Sequence, residues 1–179
     1  MMQLLEHTQK IRAYCDYLDT HVRNVRRAWD GLQGPCKGLR FIYDDWVHAC
    51  IESMVEDHDL SKVSAAEFIA YQRRFFPVGD ADKEGFADAW EHHKMNNPHH
   101  WEHWTQETYS NPYAAEMHCV CMVVDWTAMA YEFGGSAEAY YLDNAEKIKL
   151  PAWAVTFIGE IFDATRRADV PCGSAEAAQ

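Results

Sequence analysis

Four stretches of the chain carry side chains whose types could do chemistry together. The first is His58-Asp59. Where the backbone turns, a neighbouring imidazole and carboxylate can reach one ion. Nitrogen and oxygen donors suit a first-row divalent metal such as Mn, Fe, Co, Ni or Zn. The second is His21, three residues after Leu18 and four before Val25, on or beside an apolar stripe. The third is Asp125, within the apolar run CysValCysMetValValAspTrpThrAlaMetAla. An ionised carboxylate is costly to bury there without a partner, and a metal ion would supply one. The fourth is GluHisHisLysMetAsnAsnProHisHisTrpGluHisTrp (91–104), with five histidines in fourteen residues. Such density suggests ligation, with His92 and His103 read as surface or turn residues.

Each group also has a plainer reading. His58 and Asp59 fit a helix-terminal histidine with a capping aspartate. His21 fits a hydrogen-bonded core residue, and Asp125 a narrow solvent-facing stripe. Arg73 and Arg74 fit a solvated helix face. Trp90, Trp101, Trp104, Tyr109 and Tyr113 surround the histidine cluster, where aromatic rings pack a core more often than they stack on a ligand.

Helices must position these groups. Ile11, Tyr14, Leu18, Val22 and Val25 recur at helical spacing and predict a helix over 4–29, ended by the Gly and Pro of 31–35. A second helix is predicted over 41–57, with Ile42, Trp46, Cys50 and Met54 on the inward face that His58 continues. Ser64 and Glu67 have the spacing of a capping box, opening a third helix to about Phe76. Phe86, Ala89, Trp90 and His93 share a stripe on a fourth, which Asn96-Asn97-Pro98 stops. Residues 99–104 read as a short helix or turn. Asn111-Pro112 reads as an N-cap followed by proline at the first helical position, opening a long helix to Phe133. Ser136 caps another, and Pro151 starts the last. No segment alternates with period two, so the expected fold is all-α with about seven helices. Residues 1–170 are expected to form one domain and 171–179 a loose tail.

Composition narrows the classes. A chain of 179 residues can bury a real core. No apolar run approaches the roughly 20 residues that span a bilayer, so no membrane partner is expected. The start has no basic segment leading into an apolar one. Six cysteines are spread along the chain without a CxxC, which suits reduced thiols and a cytoplasmic location. A net charge of −12 argues against general nucleic-acid binding. It leaves room for a small anionic substrate in a local basic pocket, and for a homo-oligomer.

Taken together, His21, then His58-Asp59, then Asp125 resemble the ordered H…HD…D pattern of the HD-domain superfamily of metal-dependent phosphohydrolases. HisAspLeuSerLys (58–62), GluPheIleAlaTyr (67–71), AsnProHisHisTrpGluHisTrp (97–104) and MetValValAspTrp (122–126) also resemble a group of small HD-like proteins of bacteria and phages, over roughly residues 20–165. The superfamily resemblance implies a helical bundle and one or two divalent ions held by His21, His58, Asp59 and Asp125. His93 and either His99 or His100 fall where some members place ligands for a second metal. It also implies hydrolysis of a small phosphorylated substrate such as a nucleotide. Lys62 is then the first candidate to steady developing charge and Lys94 the next, with Glu67 a possible base. Two alternatives stand beside it. One is an HD-type diiron oxygenase, a group that uses the fuller histidine set. The other is a non-catalytic protein-binding module with a structural metal.

Overall fold

The computed structural model describes residues 2–79, 85–104 and 112–169. The fold is all-α. Among the described residues there are eight α-helices, two short 3₁₀ turns and no strand. The helices are α1 (Met2–Gln33), α2 (Arg40–Tyr43), α3 (Asp45–Glu56), α4 (Phe68–Phe75), α5 (Phe86–Asn96), α6 (Pro112–Phe133), α7 (Ala137–Asn144) and α8 (Ala152–Asp169). The 3₁₀ turns are Leu60–Val63 and Trp101–His103.

The centre of the molecule is α6. Cys119 through Val124 are buried without interruption, as expected of a helix covered on every side. Helices α1, α3, α7 and α8 pack around it. Its neighbours contribute Val25, Trp29 and Leu32 from α1, Val47, Ile51 and Val55 from α3, and Ile158 and Ile161 from α8. A second, smaller cluster joins α1 to α4 and α5 through Tyr14, Tyr71 and Ala89. The site described below lies between these two clusters. No helix among the described residues is long and apolar enough to cross a membrane.

Two helical faces differ from expectation. On α1 the buried line is Tyr14, His21, Val25, Ala28 and Leu32, whereas Ile11 and Val22 are exposed. His21 is thus part of the inward stripe itself. On α3 the buried line is Val47, Ile51 and Val55; Cys50 and Met54 are partly buried against the core, and Trp46 is 64% exposed. The cause is a break at Asp44, whose side chain accepts from the Trp46 and Val47 backbone N–H groups and starts α3 afresh. One continuous helix from Phe41 would have set a different phase. His58 still ends on the inward side, three residues after Val55.

The capping box at Ser64 does not form. Helix α4 begins at Phe68, and the Ser64 hydroxyl has no partner among the described residues. Glu67 is instead fully buried. Ser136 does cap α7, accepting from the Ala139 N–H at 3.1 Å, and α6 begins at Pro112. Asn111, Tyr109, the Tyr113 side chain, Cys172 and the tail 171–179 lie outside the described residues. The other five cysteines are free thiols. Burial pushes Cys36 up to about 11 and Cys121 up to about 12, so neither is poised as a nucleophile.

Candidate metal centre

Helix α3 ends at Glu56, and the chain turns sharply before the 3₁₀ segment. Asp59 makes that turn with φ 60°, the only positive φ at a non-glycine among the described residues. Aspartate tolerates the left-handed region better than most residues because its short polar side chain can bond locally. The turn points His58 and Asp59 into the same space, and both are buried. That space is closed by His21 from α1 and Asp125 from α6.

The Asp59 carboxylate faces two groups of donors. Its Oδ2 lies 3.2 Å from His21 Nε2 and 3.6 Å from His58 Nε2. Asp125 Oδ1 completes this group at 3.4 Å from each of the same two nitrogens. On the other side, Asp59 Oδ1 lies 3.3 Å from His93 Nε2 and 3.4 Å from His99 Nε2. His93 Nε2 is in turn 2.9 Å from His100 Nε2. Donor atoms about 2.1 Å from a common ion lie roughly 3.0–3.4 Å apart, whether tetrahedral or octahedral. These spacings match.

Two clusters of buried donors therefore could hold a metal ion: Asp59 with His93, His99 and His100, and His21 with His58 and Asp125. A second observation supports the fit. His21 Nε2, His58 Nε2, Asp59 Oδ1 and His99 Nε2 are buried with no well-formed hydrogen bond among the described residues. Burying such atoms unpaired is costly, and a cation would satisfy all of them.

The supporting contacts fix the ring orientations. Glu67 accepts from His93 Nδ1 at 2.8 Å and from His92 Nδ1 at 2.7 Å. This leaves His93 Nε2 free to act as a donor atom. Asn97 donates to the Ser61 hydroxyl and the His93 carbonyl, both at 2.7 Å. His58 and His99 stack with centroids 4.1 Å apart, linking the two groups.

Electrostatics follow from this crowding. Burial would raise both carboxyls, but the cations around them prevail. The charges of Lys62 and His58 hold Asp59 well below the usual carboxylate range. His58, 3.4 Å away, holds Asp125 low as well. Burial also opposes charge on His58, yet Asp59 and Asp125 outweigh it and hold this histidine above its ordinary value. His99 and His100 go the other way. Burial lowers both, and a histidine neighbour lowers each further. They stay neutral, the form that ligates a metal.

A cavity of about 470 Å³ opens on these groups. His21, Asp59, His99, His100, Asp125 and Lys62 are among its lining residues. Lys62 Nζ bonds to Asp59 Oδ2 at 2.6 Å. Burial disfavours its charge, but Asp59 prevails and holds Lys62 above its ordinary value.

The structure thus brings together His21, His58, Asp59, His93, His99, His100, Asp125 and Lys62. It does not bring Lys94 with them. Lys94 bonds to Glu91 at 2.7 Å and lies 5.6 Å from the Trp90 ring centre, outside the cavity lining. Arg73 and Arg74 are also absent from the lining. Arg74 rests on Phe75 and Phe86. His92 is exposed apart from its Glu67 bond, and His103 Nδ1 donates to the Lys94 carbonyl at 2.9 Å. Trp104 is buried against Trp153, its indole bonded to the Pro98 carbonyl. Sequence reasoning missed Tyr17, Glu102, Trp126 and Tyr140, which also line the cavity. Only Tyr17 carried a local signal, one turn before His21 on the same helix face.

An all-helical bundle with two adjoining buried histidine–carboxylate clusters defines the class. The chain belongs to a family of unknown function, DUF5662, which matches residues 6–160. Comparisons with curated proteins and with solved structures found no match.

Proposed function

We propose that this chain is a two-metal phosphohydrolase acting on a small phosphorylated substrate, in line with its resemblance to the HD-domain superfamily. The observation that carries the reading is Asp59, whose two carboxylate oxygens each face a separate histidine group. A carboxylate placed this way can bridge two ions. Two divalent ions held there would polarise a phosphoryl oxygen and lower the pKa of a water molecule.

The chain's own residues do the rest. Lys62 keeps a positive charge in the cavity lining, where it can steady charge that develops on phosphoryl oxygens. The cavity leaves one side of the donors open, as a catalytic site requires and a closed structural site does not. That opening favours an enzyme over a binding module. A diiron oxygenase is the second reading. It is favoured by the donor set itself, since five histidines and two carboxylates also suit iron.

Elemental mass spectrometry on protein purified without chelator, followed by a phosphate-release screen on small phosphate esters, tests the proposal. Two Mn, Co, Ni or Zn ions per chain with phosphate release are expected. His58→Ala and His100→Ala should each lose one ion. Lys62→Ala should retain both ions and lose turnover about 100-fold. Two irons with oxygen uptake and no phosphate release would establish the oxygenase instead. No metal after reconstitution would leave a binding module.

A further inference from the structure

The cavity has a wall that hydrolysis at the metals does not use. Tyr17, Trp101, Trp126 and Tyr140 contribute aromatic rings to it. Trp126 and Tyr140 pack with centroids 5.5 Å apart, and Tyr17 stacks 6.2 Å from His21. The rings therefore extend from the donors outward. Into the same cavity comes Glu102, from the 3₁₀ turn that also carries Trp101.

Glu102 is poorly compensated. One of its carboxylate oxygens is buried without a hydrogen-bond partner among the described residues. The ammonium of Lys94 is held by Glu91. A half-buried carboxylate among rings is a costly arrangement unless a ligand cation meets it. Aromatic faces attract organic cations through their quadrupoles, most strongly where water is displaced.

Cation counting points the same way. Lys62 is the only lysine or arginine among the described lining residues, and it is bonded to Asp59. A di- or triphosphate chain would reach past the metals into a wall with no further cation and one carboxylate. A single phosphate with a positively charged tail would meet complementary groups at both ends.

We propose that the cavity selects the phosphate monoester of a small amino alcohol, with phosphate at the metal donors and the ammonium group among the rings against Glu102. This rests on reading the metal centre as a phosphate site. The ammonium end, however, can be tested without it.

Two titrations of the 179-residue chain decide the matter. In the first, metal-loaded protein is titrated calorimetrically with phosphocholine, phosphoethanolamine, glycerol 3-phosphate and adenosine monophosphate. In the second, choline chloride is titrated into metal-free protein while tryptophan fluorescence is followed. The two ammonium esters should bind about tenfold or more tightly than glycerol 3-phosphate. Glu102→Gln, which keeps the side-chain shape, should erase that preference with its melting temperature unchanged. Choline should quench the fluorescence in wild type and much less in the variant. Equal binding of ammonium and neutral esters, or tightest binding of the nucleotide, would overturn the ammonium pocket while leaving the metal reading intact. Quenching by choline with no binding of any phosphate ester would overturn the phosphate end, and with it the reading of the metal centre.

Discussion

The two donor groups differ in how they are built. His21 and Asp125 project from α1 and α6, long helices that pack against each other, and His58 follows directly on α3. This half is held by the hydrophobic core. His93 lies near the end of α5, and His99 and His100 lie in the turn that follows. In this half His93 is held by hydrogen bonds with Glu67, Ser61 and Asn97. The first half has two carboxylate residues, counting Asp59, and the second has Asp59 alone. Core packing therefore sets the more anionic half, and a polar network sets the more neutral one. The difference teaches where each can be perturbed. Only a ligand change should weaken the first half, whereas the second should respond to residues that never touch an ion.

The largest expected effect tests what the halves share. Asp59→Ala removes one oxygen from each and should abolish binding of both ions, read as metal per chain after desalting. Retention of either ion would show that the halves are independent. Asp125→Ala should cost one ion and leave the other, because His93, His99 and His100 keep their geometry. Loss of both would mean that the second ion depends on the first. Glu67→Gln sharpens the contrast without touching a ligand. Second-ion affinity should fall roughly 10- to 100-fold, with the first unchanged, by competition against a chromophoric chelator. An equal loss at both would break the distinction.

The smallest effect concerns a histidine that belongs to neither half. His118 on α6 lines a neighbouring cavity with His58 and His99, and burial lowers it to about 4. In the unfolded chain it takes up its proton near pH 6.5. The folded state resists that proton, so its contribution to stability is full above about pH 6.5 and is lost as pH falls towards 4. His118→Asn should flatten the acid limb of a melting-temperature profile over this window. Metal content should stay at the wild-type value. A loss of metal would instead make His118 part of the centre.

Much of this architecture is legible in the sequence, for identifiable reasons. Gly, Pro and Asn breaks delimit the helices, and the buried carboxylate of Asp125 stands out against its apolar run. The histidines gather because few other roles require so many in one short stretch. The face of α3 is less legible, because Asp44 divides what reads as one helix, so that Trp46 is exposed while Cys50 and Met54 only flank the buried line. Glu67 follows Ser64 at capping-box spacing, and nothing local reveals that its carboxylate turns inward to two histidines from α5. Lys94 falls outside the cavity lining for a related reason. Nearness to a ligand in sequence does not fix the side of the helix, and its neighbour His93 takes the inward one. The cavity wall joins Tyr17, Glu102, Trp126 and Tyr140 across four elements, a juxtaposition that only the tertiary fold creates.

The left-handed turn at Asp59 has a consequence for descent. Most side chains pay about 1 kcal/mol or more to occupy that backbone region, whereas Asp, Asn and Gly enter it readily. A duplicated gene freed from the need for the carboxylate therefore has two replacements that spare the turn, asparagine and glycine. Either preserves the bundle; glycine removes both oxygens that the histidine groups face, and asparagine exchanges one of them for an amide nitrogen. Within this family, a chain with Asn or Gly immediately after the turn's histidine is expected to be a folded copy that has left chemistry behind. A single letter at that position would separate working lineages from silent ones.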